Sequence, residues 1–331
     1  MIITQTPLRI SFVGGGTDFR DFYCKQTGEV ISTTIDKYVY VIIKERYDSQ
    51  IYLNYSKKEI VNCVDVIEHE LIREAMRKTG VTQGIEITTL ADIPAHGSGL
   101  GSSSCVTVGV LNALYAYQGS PMDRETLAQE ACEIEIERLG KPIGKQDQYI
   151  AAYGGLKHIQ FLSDESVRVE GIPISEETKR KLNTNTLLFY TGIERRASEI
   201  LIEQQQNIEN NFEILCEMKP LVHELKEVLI TYQNDEHHSL DEFGHLLHRG
   251  WQLKQKLASK ISNPQLDEMY EVAFKAGALG GKLLGAGGGG FFLFYAPPEK
   301  HDAIRAALRH LQEFPFNLER DGSKVIFNIR R

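Results

Sequence analysis

Residues 94–109, PAHGSGLGSSSCVTVG, form a run of small residues that leads directly into an apolar helical pattern. Glycines let a ligand approach the backbone closely, and the serines that follow can begin a helix. A helix N-terminus presents unpaired N–H groups and the positive end of the helix dipole, which together favour phosphate oxygens. Serine hydroxyls at the same place can bind Mg²⁺. The spacing fits a phosphate-binding loop and a flexible loop with an ordinary serine cap equally well.

Carboxylates that could assist a group transfer follow in EACEIEIERLGKPIGKQDQY, residues 130–149. Glu130, Glu133 and Glu137 share one face of a predicted α-helix, where like charges repel by about 0.2–0.5 kcal/mol. A solvated acidic face is the favoured interpretation for the first two, whereas a bound metal ion would relieve the repulsion at Glu137. Asp147 follows a Pro/Gly turn, where it could accept a proton from a substrate hydroxyl or could simply form the turn.

Arg9 stands at the head of an apolar strand in PLRISF, shortly before a glycine triplet at 14–16. Its guanidinium could neutralise charge that develops in a transfer, or it could be a solvated strand end. The run GAGGGG at 285–290 formally matches the dinucleotide fingerprint, but a strand follows where that fingerprint needs a helix. The pattern therefore argues against a nicotinamide-dependent dehydrogenase, and no Walker A sequence occurs.

Strand and helix patterns are mixed without strict alternation, which favours an α+β fold over a plain doubly wound sheet. A polar stretch at 171–185 separates two predicted domains, 1–180 and 181–331. The predicted strands are 8–13, 38–44, 84–90, 154–162, 186–192, 291–296 and 324–329. The predicted helices are 59–79, 104–117, 123–139 with Asp123 as N-cap, 197–233, 240–260, 264–276 and 298–312.

The composition of the 331 residues is that of a soluble globular protein, with 42% hydrophobic and 25% charged residues. A net charge of −8 without long basic runs argues against a nucleic-acid partner. The five cysteines are scattered, so neither a zinc site nor a disulfide framework is indicated. No run is long enough for a membrane span and no secretory signal is recognisable, so the expected location is the cytoplasm. The oligomeric state stays open between a monomer and a homodimer.

Taken together, three motifs resemble those of the GHMP kinase superfamily. They are PLRISFVGGGTD near the N-terminus, PAHGSGLGSSSCVT in the middle and KLLGAGGGGFFLF near the C-terminus, and they occur in the family's order and spacing. The resemblance implies a two-domain fold with an N-terminal domain like domain 2 of ribosomal protein S5 and a ferredoxin-like C-terminal domain. Within the superfamily, GGGTDF, PIGKQDQYIAAYGG and LLGAGGGGFF are similar to the D-glycero-D-manno-heptose-7-phosphate kinases, which phosphorylate an anomeric hydroxyl.

The resemblance also implies ATP and Mg²⁺ as cofactors and a sugar phosphate as acceptor. Asp147 and Arg9 would be catalytic, and Ser103 and Glu137 would hold the metal ion. The implied ATP-binding residues are Pro94, Gly97, Ser98, Gly99, Leu100, Gly101, Ser102, Ser103 and Ser104. The implied acceptor-binding residues are Asp18, Gly15, Gly16, Lys145, Gly287, Gly288 and Arg195, with Lys145, Arg195 and Arg196 as candidate cations for an acceptor phosphate.

Other functions remain open on the sequence. Gly15 and Gly16 stand where galactokinases carry Glu-His, which argues against galactose. The spacing from Glu137 to Asp147 is shorter than in mevalonate kinases. A fucose- or arabinose-type sugar-1-kinase is the alternative enzyme, and a sugar- and nucleotide-binding sensor without turnover is the alternative of another class.

Overall fold

The computed structural model describes residues 1–93, 97–193, 197–232 and 240–329. Its strands are β1 (Ile2–Val13), β2 (Gly28–Glu45), β3 (Ile51–Asn54), β4 (Lys58–Val61), β5 (Ile85–Ala91), β6 (Lys157–Phe161), β7 (Val167–Gly171), β8 (Thr186–Tyr190), β9 (Gly280–Leu283), β10 (Phe291–Tyr295), β11 (Gln312–Glu313), β12 (Leu318–Glu319) and β13 (Lys324–Asn328).

The helices are α1 (Arg20–Tyr23), α2 (Glu70–Thr79), α3 (Ser102–Gln118), α4 (Arg124–Cys132), α5 (Gln146–Tyr153), α6 (Glu176–Asn185), α7 (Ala197–Gln206), α8 (Phe212–Thr231), α9 (Asp241–Lys254), α10 (Pro264–Lys275) and α11 (His301–Ala307). A π-helical turn, Glu133–Arg138, continues α4, and short 3₁₀ turns cover Val64–Val66 and Pro298–Lys300. None of the described helices combines the length and hydrophobicity that a membrane crossing requires.

The first sheet contains nine strands of the described chain, with the order β13-β1-β2-β5-β3-β4. Strands β6 and β12 also pair with β2, and β7 pairs with β6. Its pairs are antiparallel except for β3 and β5. Helix α3 packs on β1 and β2, and most of its side chains are buried. A helix that is apolar on nearly every side belongs inside a protein. The loop before α3 is therefore anchored to the core.

The second sheet has the order β11-β8-β10-β9, and all its pairs are antiparallel. Along the chain these strands are the fourth, first, third and second, with helices in the two crossovers, which is the ferredoxin-like arrangement that the resemblance implied. A second hydrophobic core lies here, built around Trp251, Phe292 and Phe294. The α+β class is thus confirmed.

Two predicted helices differ from the structure. The segment predicted as one helix over 197–233 holds two helices in its described part, α7 and α8. Residues 59–79 are not one helix, because β4 pairs with β3 and helix α2 begins only at Glu70, after His69 has accepted a bond from the Ile72 N–H. Apolar residues at helical spacing also suit a strand followed by a turn, so spacing alone could not separate them.

The division at residue 180 also needs correction. Strands β12 and β13 pair with β2 and β1, so the last described part of the segment 181–331 returns to the first sheet. Strand pairing over some 300 residues leaves no mark in local composition, so composition predicts one boundary where the chain in fact returns to the first sheet.

Candidate active site

The phosphate-loop candidate enters α3 through glycines in the left-handed region. Gly97, Gly99 and Gly101 have φ of 70°, 76° and 76°, and Gly101 is the N-cap. The first N–H groups of a helix lack intrahelical partners, so they are available to a ligand. They face a cleft of about 880 Å³, a volume typical of small-molecule sites. Its lining includes Gly97, Ser98, Gly99, Gly101, Ser102, Ser103, Ser104, Glu135 and Lys141.

The backbone of the C-terminal glycine motif packs directly against the backbone of this loop. A Cβ on Gly99 would lie 2.4 Å from the carbonyl oxygen of Leu284, and one on Gly285 would lie 2.4 Å from the Gly99 Cα. Side chains at either position would push the two loops apart.

The predicted placement of Gly287 and Gly288 at the acceptor is corrected by the structure. Gly285 and Ala286 line the cavities, whereas the Gly288 N–H donates to the Ile261 carbonyl at 2.8 Å and a Cβ on Gly287 would meet Ile261. Gly287 and Gly288 therefore shape the turn from behind, because the motif curls away from the cavity after residue 286.

Arg9 and Asp147 form a two-pronged ion pair across 138 residues of sequence. The Arg9 Nε and Nη2 donate to Asp147 Oδ1 and Oδ2, each at 2.7 Å. The remaining guanidinium nitrogen, Nη1, donates to the Gly99 carbonyl at 2.6 Å. The Arg9 side chain is only 5% exposed and Asp147 is 24% exposed. This geometry fixes the carboxylate and ties it to the glycine loop.

Glu135, rather than Glu137, is the acidic residue beside the loop. Ser104 donates to Glu135 Oε2 at 3.3 Å, and the other oxygen, Oε1, is buried without a partner among the described residues. Burial raises the pKa of Glu135 to about 7. Glu137 is exposed and does not line the cleft. The sequence prediction places residues up to 139 in a regular α-helix, which would turn Glu137 towards the loop. The π-helical turn at Glu133–Arg138 changes the direction of the side chains, so Glu135 faces the cleft instead.

The other two acidic residues of that predicted face hold neighbouring elements. Glu133 pairs with Lys78 and with Arg138, and Glu130 accepts from Tyr115 at 2.6 Å. They are held by protein side chains rather than freely solvated.

A second cavity adjoins the cleft and shares six lining residues with it, including Arg9 and Asp147. Asp18 lies at its wall, with Oδ1 accepting from the Gly16 N–H at 3.0 Å and Oδ2 from the Gln146 N–H at 3.3 Å. Burial, with a contribution from the Asp147 charge, raises the pKa of Asp18. The lining also includes Ser11, Gly15, Gly16, Gln204, Lys254 and Lys282.

Of the predicted acceptor residues, Asp18, Gly15 and Gly16 thus lie together, but Lys145 does not join them. Its Nζ donates to Glu165 Oε2 at 2.7 Å and lies 4.8 Å from the Tyr23 ring centre. Lys145 is bound to Glu165 and does not line the cavity, so its predicted placement is corrected. Pro94, Arg195 and Arg196 lie outside the described residues.

Comparisons with known proteins agree with this arrangement. The family descriptions "GHMP kinases N terminal domain" and "GHMP kinases C terminal" match residues 61–155 and 221–314. D-glycero-alpha-D-manno-heptose 7-phosphate kinase of Campylobacter jejuni is 32% identical over 96% of this chain and 97% of its own. The chain belongs to the GHMP kinase family. This family uses ATP as its phosphate donor.

Two further relatives of this GHMP kinase have lower sequence identity than the Campylobacter jejuni protein. A crystal structure of a D-glycero-D-manno-heptose 1-phosphate kinase from Bacteroides thetaiotaomicron superposes with a TM-score of 0.81, at 27% identity and with both chains fully covered. The galactokinase of Pyrococcus furiosus is 27% identical over 93% of this chain and 92% of its own.

Four residues that line the acceptor cavity of the kinase were not predicted from the sequence. Lys254 and Lys282 are buried, and Ser11 Oγ and Gln146 Oε1 are buried without partners among the described residues. Lys282 is the first residue of the KLLGAGGGGFFLF motif, so the motif itself is a signal for it. Ser11 and Gln146 also lie inside quoted motifs, PLRISFVGGGTD and PIGKQDQYIAAYGG, whereas Lys254 lies in no glycine-rich motif.

Proposed function

We propose that this protein is an ATP-dependent sugar kinase. It transfers the γ-phosphoryl group to the anomeric hydroxyl of D-glycero-D-manno-heptose 7-phosphate and forms the 1,7-bisphosphate. One observation carries the proposal: the Arg9–Asp147 pair lies where the phosphate-loop cleft meets the second cavity. A donor phosphate in the first space and an acceptor hydroxyl in the second would meet at this pair.

The chemistry follows from the requirements of phosphoryl transfer. The transition state is loose, so positioning and charge neutralisation supply most of the rate enhancement. Backbone N–H groups at the start of α3 hold phosphate oxygens, and Arg9 stabilises the charge on the transferred group. Asp147 accepts a hydrogen bond from the anomeric hydroxyl and aligns its oxygen. That oxygen bonds to the γ-phosphorus as the bond to the β-phosphate oxygen breaks, and the hydroxyl proton is released.

The cleft also fits Mg²⁺. Glu135 offers a buried carboxylate oxygen with no described partner, and the hydroxyls of Ser103 and Ser104 line the same space. These are oxygen donors, and Mg²⁺ typically takes one or two carboxylates together with substrate phosphates and water. The described residues contain no group of three acidic, His or Cys side chains arranged for a metal, which suits an ion held largely by ATP. When bound, the ion neutralises charge on the β- and γ-phosphates.

The choice of heptose 7-phosphate rests on the Campylobacter jejuni relative's activity and on Gly15 and Gly16, which line the second cavity without side chains. The test is an ADP-release assay with Mg·ATP and equal concentrations of heptose 7-phosphate, heptose, fucose, arabinose and galactose. We expect the highest kcat/KM for heptose 7-phosphate and an acid-labile phosphate at O1. A higher kcat/KM for fucose or arabinose would establish the alternative kinase, and binding without ADP release would establish a sensor.

Cytoplasmic location and a monomer or homodimer remain part of the proposal, in line with a kinase whose partners are two small molecules.

A further inference from the structure

Lys282 is a buried lysine in the wall of the acceptor cavity. It lies in β9, all four residues of which are buried, and it is 5% exposed. The one hydrogen bond of its side chain within the described part of the chain runs from Nζ to the Phe12 carbonyl at 2.8 Å. Lysine is almost never this buried unless it is paired with an opposite charge. The amine therefore lacks the partner that its environment would lead one to expect.

The charged groups around the cavity do not supply that partner. They are Arg9, Lys254, Asp18 and Asp147. Asp147 is occupied by the Arg9 fork, and Asp18 accepts from two backbone N–H groups. Burial, followed by the positive charge of Arg9, lowers the pKa of Lys282 to about 7. A substantial fraction of the amine is therefore neutral at neutral pH.

The other described cationic side chains near the acceptor cavity already have hydrogen-bond or ion-pair partners. Arg9 donates to Asp147 and Gly99, and Lys254 donates to the carbonyls of Leu283 and Gly285. Lys145 pairs with Glu165 outside the cavity. A protonated Lys282 has three donors and uses one on Phe12. Two donors therefore remain for an incoming anion.

We propose that Lys282 binds the phosphate group that the acceptor sugar already carries, and that its amine takes up one proton from solvent as that phosphate enters. The inference rests on the proposed function and assigns the acceptor's phosphate to a residue. The physical reason is that the phosphate and the lysine ammonium each offset the cost of burying the other's charge. A phosphate dianion is costly to desolvate without a cation, and a nearby anion favours the charged ammonium form.

Steady-state kinetics test the binding half of the proposal. For K282M, the KM for heptose 7-phosphate should rise about 10- to 100-fold, the loss expected for one hydrogen bond to a charged group. The KM for ATP should change little. K282R keeps a cation and should retain most of the affinity. K275M is the matched control, because Lys275 is an exposed lysine on α10 paired with Glu271, and its two KM values should stay unchanged.

The proton half is tested by calorimetry at pH 8 without ATP, in two buffers of different ionisation enthalpy. Heptose 7-phosphate should bind to the wild type with uptake of up to one proton, and to K282R and K282M without it. Unphosphorylated heptose should bind to every variant without uptake. If K282R proves unstable by thermal melting, the KM values and proton uptake of K282M and K275M still test whether Lys282 binds the phosphate.

Three results would overturn the assignment: equal proton uptake by wild type and K282M, a K282M defect of the same size for unphosphorylated heptose, or K282R as impaired as K282M. The last would indicate a neutral base instead of an anion-binding cation. Binding of heptose 7-phosphate with Lys282-dependent proton uptake but without turnover would refute only the proposed function. A complete lack of binding would refute both.

Discussion

Replacing Arg9 by lysine keeps the positive charge but removes the two-pronged hydrogen bonding to Asp147, so it tests which of the two matters for catalysis. The guanidinium makes two hydrogen bonds to Asp147 and one to the Gly99 carbonyl, whereas a lysine amine can replace only one of the three. Hydrogen bonds to charged groups contribute about 1.5–3 kcal/mol each, so two lost bonds give an upper bound of about 3–6 kcal/mol. Because Asp147 is 24% exposed, water can replace part of the lost hydrogen bonding, so we use the lower end of this energy range. About 3 kcal/mol of lost transition-state stabilisation lowers kcat about 100-fold.

The assay is coupled ADP release under saturating ATP and acceptor, with thermal unfolding measured in parallel. R46K is the matched control, since Arg46 forks Asp48 at 2.8 and 2.7 Å with similar burial but away from the cleft. Its kcat should stay within twofold of wild type. If R9K also retained kcat within threefold, or if R46K lost as much activity, the role of the Arg9 fork in catalysis would be refuted.

Three further experiments test other parts of the site. D147N keeps the side-chain shape but removes the charge that orients the acceptor hydroxyl, so kcat should fall about 100-fold or more with little change in KM for ATP; near-normal kcat would remove Asp147 from the mechanism. E135Q should raise the Mg²⁺ concentration for half-maximal activity about tenfold or more, while E137Q should not, and the reverse order would restore Glu137 as the metal residue. G99A and G80A both place a Cβ at φ near 75°, at a cost of about 1–2 kcal/mol. Only the first meets a backbone atom, 2.4 Å away, so calorimetry should show a clearly lower Tm for G99A than for G80A, and equal values would contradict the backbone packing of the two loops.

Much of the fold could be predicted because the signals are local. The cap at Asp123 is confirmed by its bond from the Thr126 N–H at 2.8 Å, and the helix predicted from Pro264 begins at that residue. Strands rich in β-branched and aromatic residues were recognised in β1, β2 and β10. By contrast, β4 was missed because its apolar residues also fit a helical period.

The sequence by itself determined the glycine–serine loop, its helix and the family, since these depend on residue types within short windows. Only the tertiary structure decided which residues meet there. Arg9 reaches Asp147 across 138 positions, Glu135 replaces Glu137 because one turn widens, and Lys145 turns to Glu165. The charge state of Lys282 likewise depends on burial and on Arg9, a residue from the other end of the chain. Such properties arise from packing between distant segments, which no local pattern encodes.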